Sequence, residues 1–243
     1  LTAHERDQHT HSNLVDMSEY RKMNYVVINH DHTRDSYLVH MGCTKNGTQI
    51  WINRFWIESD VRITLGVIDH DLTYGFIGGP ELASYSLAGS DTITGIHDFR
   101  LDTHQQPING TTESDSIHGI VHEIINLAEV HFNVEVVSNK EQEISAVFGG
   151  ELYAVHLAAC EVGRRVMMRP VTQRFSMVIT TNSSYRQRST LYHTLQAITA
   201  ASQIVADGGT IICVTQRSED IIDYKTFMSM KTVDTRKLSQ TSD

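Results

Sequence analysis

The sequence of 243 residues has little of several features that mark particular classes of protein. No apolar run approaches the ~20 residues that a membrane-spanning helix needs, and the polar first segment lacks the charged-then-apolar pattern of a signal peptide. The cysteines Cys43, Cys160 and Cys213 are far apart and form no CxxC pair. This argues against a disulfide framework and a structural zinc site, and we expect a cytoplasmic protein.

Positive charge is also scarce, since the formal net charge is −9 and no basic cluster occurs. We therefore expect neither nucleic acid nor an anionic membrane as a partner. The sequence contains no GxSxG elbow, GxGxxG fingerprint or P-loop, so hydrolase, dinucleotide-binding and NTPase functions have no motif support. What the chain does have is 14 histidines, a compositional hint of metal or acid–base chemistry.

Strands and helices alternate along the chain, which predicts an α/β protein with mixed or parallel sheets flanked by helices. A strong hairpin signal at Lys45-Asn46-Gly47 separates two short strands. The predicted strands are 25–29, 38–42, 48–52, 61–68, 131–138, 144–148, 175–181 and 210–215. The predicted helices are 115–129, 149 to about 165 and about 190 to 206, with shorter helices before residues 23 and 97. Residues 98–114 are predicted to form a loop.

Arg169-Pro170 indicates a boundary between two lobes. We expect residues 1–170 to form the larger lobe and residues 171–243 to begin a second, incomplete α/β lobe. In the second lobe, a strand, a helix, a turn at 207–209 and another strand predict a β-α-β unit with parallel strands.

The stretch from Val61 to His97 contains the most suggestive pattern. An apolar run, 61–68, predicts a buried strand that ends in a polar turn at residues 69–71. The glycine-rich segment 75–79 follows. Paired glycines allow backbone amides to approach an anion closely, so a bound phosphate-bearing ligand and a plain structural turn are both open interpretations.

Several histidine pairs have spacings compatible with metal binding. His-x-His occurs at residues 9/11 and 30/32, and His118 and His122 lie one turn apart on a predicted helix. For all three pairs the favoured interpretation is a solvated loop or helix face. Tyr192 and Gln196, also one turn apart, face either a cleft or ordinary packing.

Taken in order, short motifs throughout the chain resemble those of the nickel-pincer-dependent lactate racemase family. The matching positions are Asn29-His30-Asp31, Leu38, Gly42-x-Thr44-x-x-Gly47-x-x-Ile50-x-x-Asn53, Glu58-x-Asp60-x-x-Ile63, Gly75-Phe76-x-Gly78-Gly79, Ala88-Gly89, Thr92-Ile93, His97, Gly149, Ala154-x-His156, Leu191-Tyr192 and Asp207-Gly208-Gly209-Thr210-Ile211-Ile212. The resemblance implies a two-lobed α/β fold with the site in the cleft between lobes. It also implies a small 2-hydroxy-acid substrate such as lactate and a pyridinium-derived nucleotide that carries nickel.

The reaction implied by the resemblance is reversible hydride transfer from the substrate's α-carbon to the cofactor, with two histidines exchanging the hydroxyl proton. Such a proton exchange requires groups that titrate near neutrality. By resemblance, His11 is the first catalytic histidine and His97 the nickel ligand. Gly78 and Gly79 lie beside the cofactor, and Tyr192 belongs to the substrate site.

Other positions depart from the family pattern. Asp71 aligns with the second catalytic histidine, and His70 lies one residue earlier. Glu81 stands at the lysine that anchors the cofactor covalently, Gln196 at a substrate-binding lysine, and Arg188 at an aspartate. The family's first segment and much of its C-terminal lobe are also expected to lie outside this sequence. The cofactor is therefore expected to be noncovalent or absent.

Two functions remain open from the sequence: an active racemase or epimerase, with a homo-oligomer as one possible assembly, and an inactive family member acting as a binding or scaffold module.

Overall fold

The computed structural model describes residues 26, 28–71, 75–103, 117–141, 143–181 and 191–215. The chain divides into two compact units, Leu1–Met168 and Arg169–Asp243. The predicted helix before residue 23 lies outside the described residues. Residues 28–30 have no regular structure, so the predicted strand 25–29 is wrong over the part that can be compared.

The first unit contains seven strands and five helices within its described residues. Its strands are β1 (Leu38–Cys43), β2 (Gln49–Asn53), β3 (Ile63–Val67), β4 (Asp69–Asp71), β5 (Gly75–Ile77), β6 (Phe132–Ser138) and β7 (Ile144–Gly150). Its helices are α1 (Arg54–Ile57), α2 (Gly79–Ala83), α3 (Ser90–Thr103), α4 (Ile117–Ala128) and α5 (Leu152–Met167). The mixed α/β class predicted from the sequence is confirmed.

The β1–β2 hairpin forms where the Lys45-Asn46-Gly47 signal predicted it. The Gly47 amide donates to the Thr44 carbonyl at 2.9 Å, and the Gly47 φ of 89° explains the glycine, since side chains disfavour this left-handed conformation. Helix α3 is fixed to the hairpin by the buried Thr92. Its hydroxyl accepts from the Trp51 amide and donates to the Gln49 carbonyl, both at 2.8 Å.

A three-stranded sheet in the order β3-β6-β7 forms the centre of the unit. Strand β3 runs parallel to β6, and β7 runs antiparallel to β6. The fully buried strand predicted at 61–68 is wrong in one respect, because only one face of β3 is buried. Its outward residues Ile63, Leu65 and Val67 are 55%, 71% and 56% exposed.

Two connections differ from the predicted ones. The polar turn at residues 69–71 is strand β4, which pairs antiparallel with β5, so the glycine-rich segment is reduced to Gly78-Gly79. Helix α3 continues to Thr103 through the first residues of the predicted loop 98–114.

The predicted helix start at residues 149–150 is also wrong, because both glycines belong to β7. Helix α5 begins at Leu152 instead, where the Glu151 carboxylate accepts the amides of Tyr153 and Ala154.

The second unit has the predicted β-α-β order: β8 (Phe175–Thr181), α6 (Leu191–Ser202) and β9 (Val205–Val214). Strands β8 and β9 are parallel, as expected for this connection. The predicted turn at 207–209 is an irregularity inside β9, where the pairing register shifts and Gly208 has a φ of 74°. None of the helices in the described ranges is both long and apolar enough to cross a membrane.

Apolar side chains in the first unit form two clusters, and α5 contributes to both. Leu152 near its start packs with residues of β2, α3 and α4. Cys160, two turns later, packs with Ile68, Phe76 and Val137. Between these positions α5 carries His156, beside the buried Asn133 and Glu135 of β6. The core of this unit therefore contains a polar site.

Candidate functional site

The structure describes the residues singled out from the sequence to different extents. His11 lies outside the described residues. His97 is in α3, Asp71 in β4, and Tyr192 and Gln196 are in α6, where the description extends to the backbone alone. Among the predicted site residues, the structure describes the side chain of His70 and the surroundings of Gly78, Gly79 and Glu81. The His70 ring is exposed and packs edge-on against Phe76, with ring centroids 5.8 Å apart.

Both amides of the glycine segment bind carboxylates of the protein itself. The Gly78 amide donates to Glu81 Oε2 at 2.8 Å, and the Gly79 amide donates to Glu135 Oε1 at 2.6 Å. Glu81 is 5% exposed and Glu135 is 0% exposed. The sequence left open whether this segment binds an external anion or only turns the chain, and in the structure its anions are internal.

Close packing explains why these two positions are glycines. A Cβ at Gly79 would lie 2.5 Å from the side-chain amide of Asn133. At Gly78 it would lie 2.8 Å from Glu135 Oε1 and 2.9 Å from His156 Nδ1. These distances are far shorter than van der Waals contact, so the segment can approach the polar site only without side chains.

Glu135 links all the elements of the site. Its Oε1 accepts from the Gly79 amide, from Asn133 Nδ2 at 3.0 Å and from His156 Nδ1 at 3.1 Å. Asn133 is itself held by Thr64 of β3, whose hydroxyl donates to Asn133 Oδ1 at 2.7 Å. A single carboxylate thus joins the glycine segment, the central sheet and α5.

The local sequence accounts for this arrangement. On β6, alternate residues face the same side, so Asn133, Glu135 and Val137 all face inward. On α5, His156 and Cys160 are four residues apart and therefore neighbours on one face, with the Cys160 Sγ 3.5 Å from His156 Nε2.

Electrostatics favour an ion pair between Glu135 and His156. Burial by itself lowers the pKa of His156, but hydrogen bonds with Cys160 and Glu135 and the charge of Glu81 outweigh burial and raise it to about 10. Burial by itself raises the pKa of Glu135, but the hydrogen bond and charge of His156 outweigh burial and leave it below its usual value. The pair is therefore charged at neutral pH.

Glu81 has the opposite tendency. Burial raises its pKa to about 7, although the charge of His156 and the Gly78 amide favour the ionised form. The nearby phenol of Tyr153 also has a raised pKa, about 12, because of burial and the charges of Glu81 and Glu151. Of the described groups around the glycine segment, Glu81 is the one poised to exchange a proton near pH 7.

Sequence reasoning missed Glu135 entirely and included His156 only as a matching position. A signal for Glu135 was present in the alternation of β6: two polar residues, Asn133 and Glu135, occupy positions on the face that also carries the fully buried Val137. Polar residues on a buried face require partners, and this requirement predicts a polar site there.

Two of the histidines whose spacing is compatible with metal binding, His30 and His122, make other contacts in the structure. His30 Nε2 donates to the Ala88 carbonyl at 2.9 Å, so its Nδ1 accepts from Asn53 Nδ2 at 2.8 Å. Both ring nitrogens are occupied, and burial lowers the pKa of His30, which keeps the ring neutral. His122 pairs with Asn126 and stacks on Tyr153. Over the described ranges, no three His, Cys, Asp or Glu side chains converge as a metal site would require.

The glycine segment does not fit the nucleotide cofactor that the resemblance implies. Both of its amides are taken by internal carboxylates, so a phosphate would have to displace Glu81 or Glu135. The Glu81 carboxyl is directed inward to the Gly78 amide, and a carboxylate cannot form the covalent link that a lysine makes in the family. His97 remains the candidate nickel ligand, placed on α3.

The fold and site together define a class: an α/β protein whose glycine segment is closed onto a buried acid–histidine pair. Comparison with known proteins shows which family the chain resembles. Residues 2–109 match the family model for the lactate racemase N-terminal domain.

Two curated relatives give the same family. The chain is similar to a lactate racemase of Lactiplantibacillus plantarum, with 28% identity over 206 residues that cover 84% of this chain and 48% of the relative. It is also similar to a lactate racemase of Thermoanaerobacterium thermosaccharolyticum, with 25% identity over 183 residues, 75% of this chain and 43% of the relative. The chain is therefore similar to lactate racemases over most of its length.

Solved structures support the fold. The lactate racemase apoprotein of Thermoanaerobacterium thermosaccharolyticum superposes with a TM-score of 0.72 at 22% identity, covering 88% of this chain and 50% of that protein. A Thermotoga maritima protein superposes with a TM-score of 0.52 at 18% identity, covering 76% and 50% of the two chains. The chain spans about half the length of the relatives it matches.

Proposed function

We propose that this protein interconverts the two enantiomers of a lactate-like 2-hydroxy acid. The observation that carries the proposal is similarity to lactate racemases: residues 2–109 match the lactate racemase N-terminal domain, and the curated relatives are named lactate racemases. Because the chain covers about half of those relatives, the reaction is a proposal for this protein and not a property transferred from them.

The proposed roles of individual residues follow the resemblance. His11 and either His70 or Asp71 exchange the substrate's hydroxyl proton, and His97 binds nickel of a noncovalently held nickel-pincer nucleotide. His70 suits proton exchange because it is an imidazole whose ring is exposed. Asp71 has a reference pKa near ~4 and would need burial to act at neutral pH.

The remaining proposed roles concern binding. Tyr192 and Gln196, one turn apart on α6, contact the substrate. Gln196 provides hydrogen bonds but no charge to a carboxylate, so substrate affinity is expected to be about ten- to a hundred-fold weaker than with lysine. Gly78, Gly79 and Glu81 form the boundary of the cofactor site without binding its phosphate.

The test combines a chiral assay with nickel analysis. Purified protein is loaded with the cofactor, and each enantiomer of several 2-hydroxy acids is followed by chiral chromatography. We expect isomerisation of at least one acid and bound nickel, both lost in His97→Ala and both retained in the matched control His122→Ala. Bound nickel that His97→Ala leaves in place would refute His97 as the ligand.

A second candidate function is supported by the closed glycine segment. With both amides and Glu81 engaged internally, the protein would keep the family fold without the cofactor and serve as a binding or scaffold module. The same experiment separates the two, since a loaded protein that neither retains nickel nor isomerises any tested acid supports the scaffold function.

A further inference from the structure

The Glu135 carboxylate is bound at the glycine segment, for which the sequence left an external anion as one of two interpretations. It is fully buried, and its Oε1 lies 2.6 Å from the Gly79 amide, at the start of α2. Next to it, Glu81 Oε2 accepts a hydrogen bond from the Gly78 amide. The two amides that open α2 thus bind two carboxylates from different parts of the chain, one of them 56 residues away from Gly79.

An isolated carboxylate in this place would be costly, because removing an ion from water without compensation takes several kcal/mol or more. The structure supplies the compensation from three sides. His156 donates from α5, Asn133 from β6 and the Gly79 amide from α2, and the His156 ring adds a positive charge. Charge-assisted hydrogen bonds of this kind are about twice as strong as neutral ones.

The supporting contacts hold Glu135 in one conformation. Asn133 is fixed by the Thr64 hydroxyl at 2.7 Å and also donates to the Leu152 carbonyl at 3.4 Å. The His156 side chain is 13% exposed and has Cys160 on its other nitrogen. Glu135 is therefore an acceptor held in place, and the glycine segment is bound to it through the Gly79 amide.

We propose that Glu135 is a positioning residue: its carboxylate acts as an internal anion that holds the segment Gly78–Glu81 against β6 and α5. This inference rests on the proposed function, in which the contact fixes the position of the segment beside the cofactor and substrate. Glu135 touches neither of them in this role and acts through the Gly79 amide.

The test measures amide hydrogen exchange by mass spectrometry on the peptide that spans residues 75–83. Glu135→Met removes the acceptor, and Glu135→Gln keeps a neutral, weaker acceptor of the same shape. Val137→Ala is the matched control, because Val137 is also fully buried on β6 and packs with Phe76 of the same peptide. Its truncation lowers stability without removing a hydrogen bond of Gly78 or Gly79. Exchange in α4 peptides reports global opening in all three variants.

We expect exchange in the 75–83 peptide, normalised to α4, to increase about tenfold or more in Glu135→Met and about threefold in Glu135→Gln. It should stay at the wild-type value in Val137→Ala. Equal normalised exchange in Glu135→Met and Val137→Ala would overturn the proposal. If Glu135→Met does not fold, Glu135→Gln decides: a local increase supports the proposal, and wild-type exchange overturns it.

Exchange gives its answer whether or not the protein is a racemase, so failure of the proposed function leaves this test intact. Where the wild-type protein isomerises a 2-hydroxy acid, a kinetic readout is added. Glu135→Gln is then expected to lower kcat about tenfold and to change KM less than about threefold, since the segment is not a substrate contact. An unchanged kcat would contradict positioning for catalysis.

Discussion

Nδ1 of His156 lies 3.1 Å from Oε1 of Glu135, and this buried contact joins α5 to the central sheet beneath the glycine segment. The imidazolium keeps the carboxylate ionised where water cannot reach it, and the carboxylate in turn binds the Gly79 amide. The pair therefore connects α5 and β6 to the segment that the family resemblance places beside the cofactor.

His156→Leu should destabilise the protein by roughly 3–5 kcal/mol, because it leaves the Glu135 charge buried without its partner. The double variant His156→Leu/Glu135→Leu is expected to recover part of this loss, since no uncompensated charge remains. Urea unfolding followed by circular dichroism gives both values. A single variant as stable as the wild type would contradict a charged pair.

The free energy of unfolding should depend on pH in a way that shows the titration of Glu81. Its pKa is about 7 in the folded protein and 4.5 in the reference state, so the folded state binds more protons in this interval. The free energy of unfolding is therefore expected to fall as pH rises from 4.5 to about 7. The decrease should be absent in Glu81→Gln, which keeps an acceptor for the Gly78 amide.

Subtracting the unfolding free energies of Glu81→Gln from those of the wild type at each pH gives the contribution of Glu81 to the pH dependence. His156 acts over a higher interval: its stabilisation is complete below 6.5 and is lost as pH rises through about 10, so its loss falls above the interval of Glu81. A flat difference between pH 4.5 and 7 would show that Glu81 titrates at its ordinary value.

Restoring the family's lysine by Glu81→Lys should not restore a cofactor anchor. The new ammonium would be placed in the protein interior beside the positively charged His156, and we expect a loss of about 2–4 kcal/mol. An NMR titration of the His156 ring should show its pKa lowered. Normal stability together with covalent capture of the cofactor would mean that residue 81 can turn outward.

Gly79→Ala should cost roughly 2–4 kcal/mol, because the added methyl group would meet the buried Asn133 side chain at 2.5 Å. Gly149→Ala, in β7, is a matched control, because the atom nearest to its added methyl group, from Phe132, is 3.3 Å away. Its effect should stay below about 1 kcal/mol. Thermal unfolding of the two variants in parallel measures the difference.

Thr92→Val should destabilise the protein by about 1–3 kcal/mol, because the buried contacts of the hydroxyl with the Trp51 amide and the Gln49 carbonyl are lost. Since Thr92 fixes α3 to the hairpin, the change also loosens the helix that carries His97. Thr92→Ser keeps the hydroxyl and is expected to retain most of the stability. Urea unfolding compares the two, and equal losses would point to the methyl group instead.

Local signals predicted the elements they can control. The Lys45-Asn46-Gly47 turn and helix α4 were predicted correctly, because hairpin turns and helical periodicity act over a few residues. The β4–β5 hairpin was missed, since three-residue strands carry too short a pattern. The exposed face of β3 was also missed, since an apolar run does not say which of its sides another element covers.

The same distinction between local signals and tertiary contacts applies to the site. By itself, the sequence determined the family resemblance, the mixed α/β class, the paired glycines and the unusual acid at position 81, all of which are properties of residue identity and order. Only the tertiary structure decided that Gly78 and Gly79 bind internal carboxylates, because Glu135 and His156 reach them through strand pairing and helix packing. Such contacts depend on which faces of β6, α2 and α5 meet, and no local pattern in the sequence encodes that meeting.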